Sequence, residues 1–252
     1  MSNAFRIPKT LAAASILLAG IGLAQAKTKA DKPMHPVAKE ATFVTMKSLP
    51  GKEAQVEALL KSGAETVKHN EPNTLQWYAL QEGPGKYAII DFFHDPKGRD
   101  VHFQGKVAAA LHSTAGETIE GGWDNGLVAN VQNSQVLAST ITADKSRQAK
   151  IALRIEFQAK PGKEEALAKL LAGTAETIRS TEPGTLVFYA IRIAPSRFAI
   201  FDAFAGDEGK GAHFAGQVAG ALKAHAEDLV EGGWDNGMAA NVKAYQILSS
   251  TY

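Results

Sequence analysis

The stretch PGKEAQVEALLKSGAETVKHNEPNTLQWYAL (Pro50–Leu80) returns 111 residues later as PGKEEALAKLLAGTAETIRSTEPGTLVFYAI (Pro161–Ile191). The alignment continues without a gap, and roughly half of the aligned positions are identical. A period of this length is too long for a solenoid repeat, so it predicts two copies of one small domain. Three further pairs of segments share the same offset: YAIIDFF (Tyr87–Phe93) with FAIFDAF (Phe198–Phe204), HFQGKVAAAL (His102–Leu111) with HFAGQVAGAL (His213–Leu222), and EGGWDNG at Glu120–Gly126 with EGGWDNG at Glu231–Gly237.

Each copy shows the same predicted order of elements. A first strand (residues 41–48 and 150–159) leads through the turn PGKE into a helix (52–69 and 163–180) with an amphipathic apolar stripe. Two β-rich segments follow as a hairpin, then a helix that carries the histidine, a shorter helix, and a last strand. This order, β-α-β-β-α-β, predicts an α+β fold of two tandem ferredoxin-like domains.

EGGWDNG lies where the second helical region gives way to the last strand. Paired glycines can adopt the left-handed conformation that ends a helix, and Asn-Gly favours a tight turn. The motif therefore predicts a helix stop, a tryptophan that covers the core, and a turn.

The N-terminus has the pattern of an export signal. Arg6 and Lys9 precede an apolar run (Leu11–Ala24), and AQA at Ala24–Ala26 is a small-residue cleavage site. The run is shorter than the ~20 residues that span a bilayer, which favours cleavage over a retained anchor. We expect a signal peptide over 1–26, a flexible segment over 27–40, domains over 41–139 and 150–252, and a linker over 140–149. The expected location is periplasmic or secreted.

Composition narrows the classes of function. The chain has no cysteine, which excludes disulfides and thiolate chemistry, and its net charge is +1 with both signs interspersed. The sequence contains no basic stripe and no polybasic patch. We therefore expect no nucleic-acid partner, and no membrane partner after signal cleavage.

Taken together, PGKE, EPGT, RFAIFDAF and HFAGQVAGAL resemble the antibiotic biosynthesis monooxygenase (ABM) domain of the dimeric α+β barrel superfamily. The resemblance covers nearly the whole of each repeat. It implies that two ferredoxin-like domains pair through their sheets into a closed barrel, so one chain with two copies would form an intramolecular dimer. It also implies a small aromatic substrate or ligand and, as in many relatives, no metal or flavin cofactor. Whether two such chains form a homodimer is left open.

His102 and His213 are the histidines that occupy matching positions, where the family often has a histidine facing its pocket. An imidazole titrates near neutrality and could take the proton of a phenolic hydroxyl, which makes these two the candidate catalytic residues. The alternative is a structural histidine bonded to a carboxylate or a carbonyl. The remaining histidines are unmatched (His35, His69, His94, His112 and His225), and their spacing does not indicate a metal site.

The candidate substrate-binding residues also come in matched pairs. Asp91 and Asp202 interrupt apolar strands, so we expect each to be at least half buried and to need a partner. Each carboxylate would either orient the histidine or only fix the sheet interface. Tyr78 and Tyr189 alternate with Trp77 and Phe188, so one member of each pair faces the barrel interior and the other the helices. The other pairs are Phe103 with Phe214 beside the histidines, and Trp123 with Trp234 in EGGWDNG, whose Asp and Asn neighbours could offer polar contacts. Core packing is the alternative for every aromatic in this set.

Three functions stay open at this level. The first is an exported, cofactor-independent monooxygenase acting on a small hydroxylated aromatic or quinol. The second is haem binding with the helix histidine as axial ligand, although Phe93 and Phe204 stand in the segment where haem-degrading relatives have a tryptophan. The third is a barrel that binds a small aromatic ligand without catalysis.

Overall fold

The computed structural model describes residues 37–252, apart from the side chains of residues 143 and 144. The predicted signal peptide over 1–26 lies outside the described residues, and so does most of the predicted segment over 27–40. Within residues 37–252, no helix is long and apolar enough to cross a membrane.

The first repeat folds in the predicted β-α-β-β-α-β order. Its elements are β1 (Glu40–Lys47), α1 (Glu53–Asn70), β2 (Thr74–Gly83), β3 (Lys86–Phe93), α2 (Pro96–His102), α3 (Lys106–Thr118), α4 (Gly122–Gly126) and β4 (Val131–Ile141). The first strand, predicted over 41–48, lies one residue earlier in the structure, because hydrophobic alternation marks strands well and marks their ends poorly.

The second repeat follows the same order after a short helix, α5 (Ala143–Ser146). Its elements are β5 (Ile151–Gln158), α6 (Glu164–Ala172), α7 (Thr174–Thr181), β6 (Val187–Ala194), β7 (Arg197–Phe204), α8 (Asp207–Phe214), α9 (Gln217–Leu229), a single π-helical turn (Gly233–Met238) and β8 (Val242–Ser250).

All eight strands form one closed antiparallel barrel in the order β1-β3-β2-β8-β5-β7-β6-β4. Two strand pairs join the repeats: β2 with β8, where Tyr78 lies opposite Ser250, and β4 with β6, where Tyr189 lies opposite Ser139. The fold is therefore two tandem ferredoxin-like domains paired as an intramolecular α+β barrel, as the sequence predicts. Closure leaves no exposed strand edge among these eight strands.

Strand alternation separates the core into a barrel interior and two layers beneath the helices. Tyr78 and Tyr189 belong to the interior cluster, whereas Trp77 and Phe188 pack under the helices of their own repeats. The predicted division of these two neighbouring pairs is confirmed. One consequence for the candidate site is that residues 77 and 78 face different compartments.

Three local predictions are wrong. The helix predicted over 163–180 breaks at Gly173, whose N–H is shared by the carbonyls of Lys169 and Leu170, since glycine holds a helix weakly. The helix that carries the histidine is the shorter of its pair in each repeat. In EGGWDNG, Gly121 has a φ of 78° and ends the helix as predicted, but Asn125–Gly126 continues into a helical turn instead of a tight turn.

Candidate functional site

The candidate site of the first repeat is built around His102, the last residue of α2. Asp95 caps the start of this helix, because its Oδ1 accepts a hydrogen bond of 2.9 Å from the N–H of Gly98, and Pro96 occupies the first turn. The imidazole packs between the rings of Phe93 and Phe103, at centroid distances of 5.4 and 5.8 Å. His102 is 6% exposed, so its polar atoms depend on protein partners.

Both ring nitrogens of His102 face carboxyl groups. Nδ1 lies 2.5 Å from Oε2 of Glu71, and Nε2 lies 3.5 Å from Oδ2 of Asp91. The hydroxyl of Thr74 lies 3.4 Å from both Glu71 Oε2 and His102 Nδ1. An ionised carboxylate only accepts, so Nδ1 carries a proton that it donates to Glu71. Glu71, His102 and Asp91 form one buried chain, which we call the Glu-His-Asp relay.

The second repeat repeats this geometry. Nδ1 of His213 lies 2.7 Å from Oε2 of Glu182, and Nε2 lies 3.5 Å from Oδ2 of Asp202. Thr185 donates to Glu182 Oε2 at 3.1 Å. The distances agree within 0.2 Å in two repeats that differ at about half of their positions, which indicates that the relay is a feature of the domain.

Burial and mutual charge interactions shift the pKa values of the relay residues. Burial raises the pKa of Asp91 to about 7; the charge of Glu71 raises it further and that of His102 opposes the shift. Asp202 follows in the same way, with a pKa of about 7. Burial lowers the pKa of His102, but the charges of Asp91 and Glu71 and the hydrogen bond to Glu71 outweigh it and raise the pKa above its usual value. The relay can therefore hold or release a proton near neutrality.

Glu71, Thr74 and their counterparts were not singled out from the sequence. Glu71 ends α1 with its N–H bonded to the carbonyl of Val67, and the N–H of Thr74 bonds back to the carbonyl of Glu71. This E-P-x-T turn brings the carboxylate and the hydroxyl to the histidine. The available signal was the recurrence of EPNT and EPGT, in which the glutamate and the threonine keep the same spacing in both repeats.

A small apolar pocket lies between the sheet and the helices of the first repeat, with a cavity volume of about 60 Å³. Asp91 and His102 form its polar wall. Oδ1 of Asp91 is buried and has no hydrogen-bond partner within the described part of the chain. Two further predicted residues, Phe103 and Trp123, line the pocket. The apolar wall as a whole consists of Val44, Trp77, Ile89, Phe103, Val107, Ala108, Leu111, Trp123, Leu127, Val128 and Val131.

The structure thus brings four predicted residues of the first repeat to one pocket: His102, Asp91, Phe103 and Trp123. It places Tyr78 and Tyr189 elsewhere. Both lie fully buried in the barrel interior, where burial raises the pKa of each hydroxyl well above its usual value. They belong to the interior core and are not in the wall of this pocket, because the strand alternation turns them to the opposite face of the sheet.

The matching residues of the second repeat lie in equivalent places. Asp202 is fully buried, Phe214 lies beside the ring of His213, and Trp234 packs against the core beneath α9. The polar neighbours of Trp123 in EGGWDNG, Asp124 and Asn125, are exposed and outside the pocket wall.

Residues 150–224 match the family model described as Antibiotic biosynthesis monooxygenase. The second repeat therefore contains an ABM domain. The match covers the second repeat from β5 into α9, and the first repeat forms the other half of the same closed barrel.

Solved structures agree with this ABM fold. A candidate monooxygenase from Fusobacterium nucleatum superposes with a TM-score of 0.66 over 85% of this chain and 94% of its own, at 14% identity. A candidate monooxygenase from Lactobacillus acidophilus gives 0.62 over 85% and 95%, at 12% identity. These identities establish the fold alone.

A protein of unknown function from Nitrosomonas europaea is 38% identical over 93% of its length, covering 41% of this chain with a TM-score of 0.37. Its coverage corresponds to about one repeat. No curated protein matches the chain.

Proposed function

We propose that this ABM protein is a monooxygenase that oxidises a small hydroxylated aromatic, such as a quinol, without a metal or flavin. The observation that carries the proposal is Asp91: a buried carboxyl with a pKa of about 7 and an unpartnered oxygen in the wall of an apolar pocket. Such an oxygen is placed to accept a hydrogen bond from a substrate hydroxyl. Unsatisfied buried carboxyl oxygens are costly, and a ligand donor would remove that cost.

The relay provides the base that this reaction needs. A phenolic hydroxyl has an ordinary pKa of about 10, and general bases work best near the operating pH. Asp91 accepts the hydroxyl proton, and His102 and Glu71 distribute the resulting charge over the relay. The phenolate then reduces oxygen: one quinol and one O₂ give one hydroxyquinone and one water. The substrate supplies all four electrons, so no other reductant is required.

The pocket must open to admit an aromatic ring. A volume of about 60 Å³ corresponds to roughly two water molecules at about 30 Å³ each. Two of its apolar residues are on the surface, Phe103 with 38% exposure and Val128 with 49%. Exposed side chains change rotamer readily, so the entrance lies at these residues.

Haem fits this site poorly. An axial ligand needs a free ring nitrogen, whereas both nitrogens of His102 are engaged by carboxyl groups. The cavity is also far smaller than a porphyrin. Ligand binding without catalysis would use the same pocket and is separated from the proposal by the oxygen measurement below.

The test is oxygen uptake by the purified chain with a panel of hydroquinones and polyphenols. We expect uptake that a His102→Ala/His213→Ala double variant loses. A matched control, His69→Ala/His225→Ala, removes one exposed histidine outside the relay from each repeat and should keep the native rate. Tight binding of a panel member without oxygen uptake would replace the oxygenase with the ligand-binding function.

Export is part of the same proposal, supported by the sequence pattern of residues 1–26. N-terminal sequencing of the protein recovered from a bacterial periplasm or medium should give Lys27 as the first residue. A retained Met1 would contradict it.

A further inference from the structure

A separate cavity of about 520 Å³ lies at the end of the barrel where β5 ends and β7 and β8 begin. Its walls include Glu231 and Asn236 from the second copy of EGGWDNG. Trp234 of the same motif instead packs under the helices. The polar part of this motif therefore faces a compartment that the Glu-His-Asp relay does not use.

The cavity contains a buried cation, Arg154, which is 4% exposed. Its guanidinium lies 3.8 Å from the ring centroid of Phe43, across the barrel. Nη2 donates to Oε1 of Gln132 at 3.0 Å, and Nη1 pairs with Glu156. Nε has no hydrogen-bond partner in the described part of the chain. A buried guanidinium with an unused donor is incompletely satisfied.

A second cation faces the first. Lys243 lies directly opposite Arg154 in the β5–β8 register, and like charges in that position repel. The nearby carboxylate of Glu156 is already shared, because its Oε2 accepts from Nη2 of Arg197 at 2.9 Å. Three cations (Arg154, Arg197 and Lys243) against two carboxylates (Glu156 and Glu231) leave one positive charge in the cavity wall.

The first repeat lacks this charge cluster. At the positions of Arg154, Glu156 and Lys243 it has the uncharged residues Phe43, Thr45 and Gln132. Replacing a buried charge by an apolar residue is often neutral or stabilising, so core packing alone does not favour an arginine here. The cluster distinguishes the second repeat while the relays of the two repeats stay alike.

We propose that this cavity binds a small molecule bearing one carboxylate, held between Arg154 and Lys243. A single negative charge matches the single uncompensated positive charge, and two oxygens match two cations on neighbouring strands. The apolar residues Phe157, Ala240 and Val242 in the wall accommodate the organic part of the molecule. This site does not depend on the oxygenase function.

The test is a titration of the isotope-labelled full chain with benzoate, acetate and inorganic phosphate, followed by NMR at the Arg154 Nε–H and at the backbone amides of β5 and β8. We expect saturable benzoate shifts at these positions. Lys243→Gln, which installs the residue of the first repeat, should weaken binding at least tenfold. Lys86→Gln, the same charge change on the first-repeat counterpart of Arg197, should stay within twofold.

A second variant, Arg154→Lys, retains the charge and removes the Nε donor; it should keep a native spectrum and lose affinity. Three results would overturn the proposal. They are carboxylate binding unaffected by Lys243→Gln, tighter binding of phosphate than of either carboxylate, and benzoate shifts confined to the pocket of His102. The absence of saturable shifts with both carboxylates would overturn it as well.

Discussion

At the scale of single residues, the site depends on how burial changes the acidity of Asp91 and Asp202. Each carboxyl is almost fully removed from water and faces one imidazole nitrogen at 3.5 Å. Desolvation disfavours the charged form, so each pKa rises from 3.8 to about 7. The same shift that prepares the group as a base makes folding sensitive to pH.

The sign of that sensitivity follows from proton binding. Between about pH 4 and 7 the folded chain keeps protons on Asp91 and Asp202 that the unfolded chain releases, so stability falls as pH rises through this window. An Asp91→Asn/Asp202→Asn variant cannot lose these protons. Relative to the native chain, its free energy of unfolding should rise between pH 5 and 8, by about 3 kcal/mol per carboxyl. Denaturant unfolding measures it.

The exposed Asp124 gives the control for this prediction, since Asp124→Asn should follow the native chain at every pH. A stability difference between the double variant and the native chain that is constant from pH 5 to 8 would contradict the assigned shift.

The sequence predicted part of the relay. Matching positions and neutral titration identified His102 and His213, and an acidic residue within an apolar strand identified Asp91 and Asp202. The sequence does not link Glu71 to His102, because 31 residues separate them and only the packing of the α1 end against α2 joins them. The tyrosines were assigned to the site because aromatic type alone does not tell which face of a sheet lines the pocket.

At the scale of elements, the start of α3 leaves space for the relay. Gly105 precedes this helix, and a Cβ there would lie 2.2 Å from Oε1 of Glu71. Gly216 and Glu182 have the same relation in the second repeat, at 2.4 Å. Each glycine provides the space that the glutamate carboxylate occupies beside its histidine.

Gly105→Ala should therefore displace Glu71, lower stability by about 1–3 kcal/mol and reduce oxygen uptake. Gly116→Ala is the control in the same helix, where a Cβ meets no atom within 4 Å. It should stabilise the chain by about 0.5–1 kcal/mol. Denaturant unfolding of the two variants measures the contrast, and equal effects would refute the steric role of Gly105.

Where α1 packs on the sheet, the sizes of two contacting residues compensate each other differently in the two repeats. A Cβ on Gly63 would lie 2.7 Å from Cη2 of Trp77, whereas the second repeat has Thr174 and the smaller Phe188 at these two positions. Gly63→Thr should lower the free energy of unfolding by about 1–3 kcal/mol. Adding Trp77→Phe should recover most of that loss, a coupling of about 1 kcal/mol or more. Additive losses in the double-mutant cycle would contradict this account.

At the scale of the whole molecule, the barrel exists only when both repeats contribute strands. The pairs β2–β8 and β4–β6 close it, and the barrel interior contains side chains from both repeats. The 111-residue repeat predicted two copies of one domain, and the ABM resemblance implied that the two copies pair into a closed barrel. The break at Gly173 was not predictable in the same way, because a lone glycine changes a helix only where packing on α9 and β4 permits it.

Joining the repeats in one chain should make stability independent of protein concentration. We expect one thermal midpoint for the intact chain across a hundredfold dilution. After cleavage at a protease site inserted between residues 142 and 149, the midpoint should fall with dilution. A concentration-dependent midpoint for the uncut chain would show that pairing between chains, and not within one, completes the fold.

The most direct measurement of the central claim is oxygen uptake by three variants: His102→Ala, His213→Ala, and the two combined. If each repeat carries a working Glu-His-Asp relay, each single variant should keep about half of the native kcat with an unchanged KM, and the combination should fall to background. Native rates in the combined variant would contradict the assignment of proton transfer to the Glu-His-Asp relay.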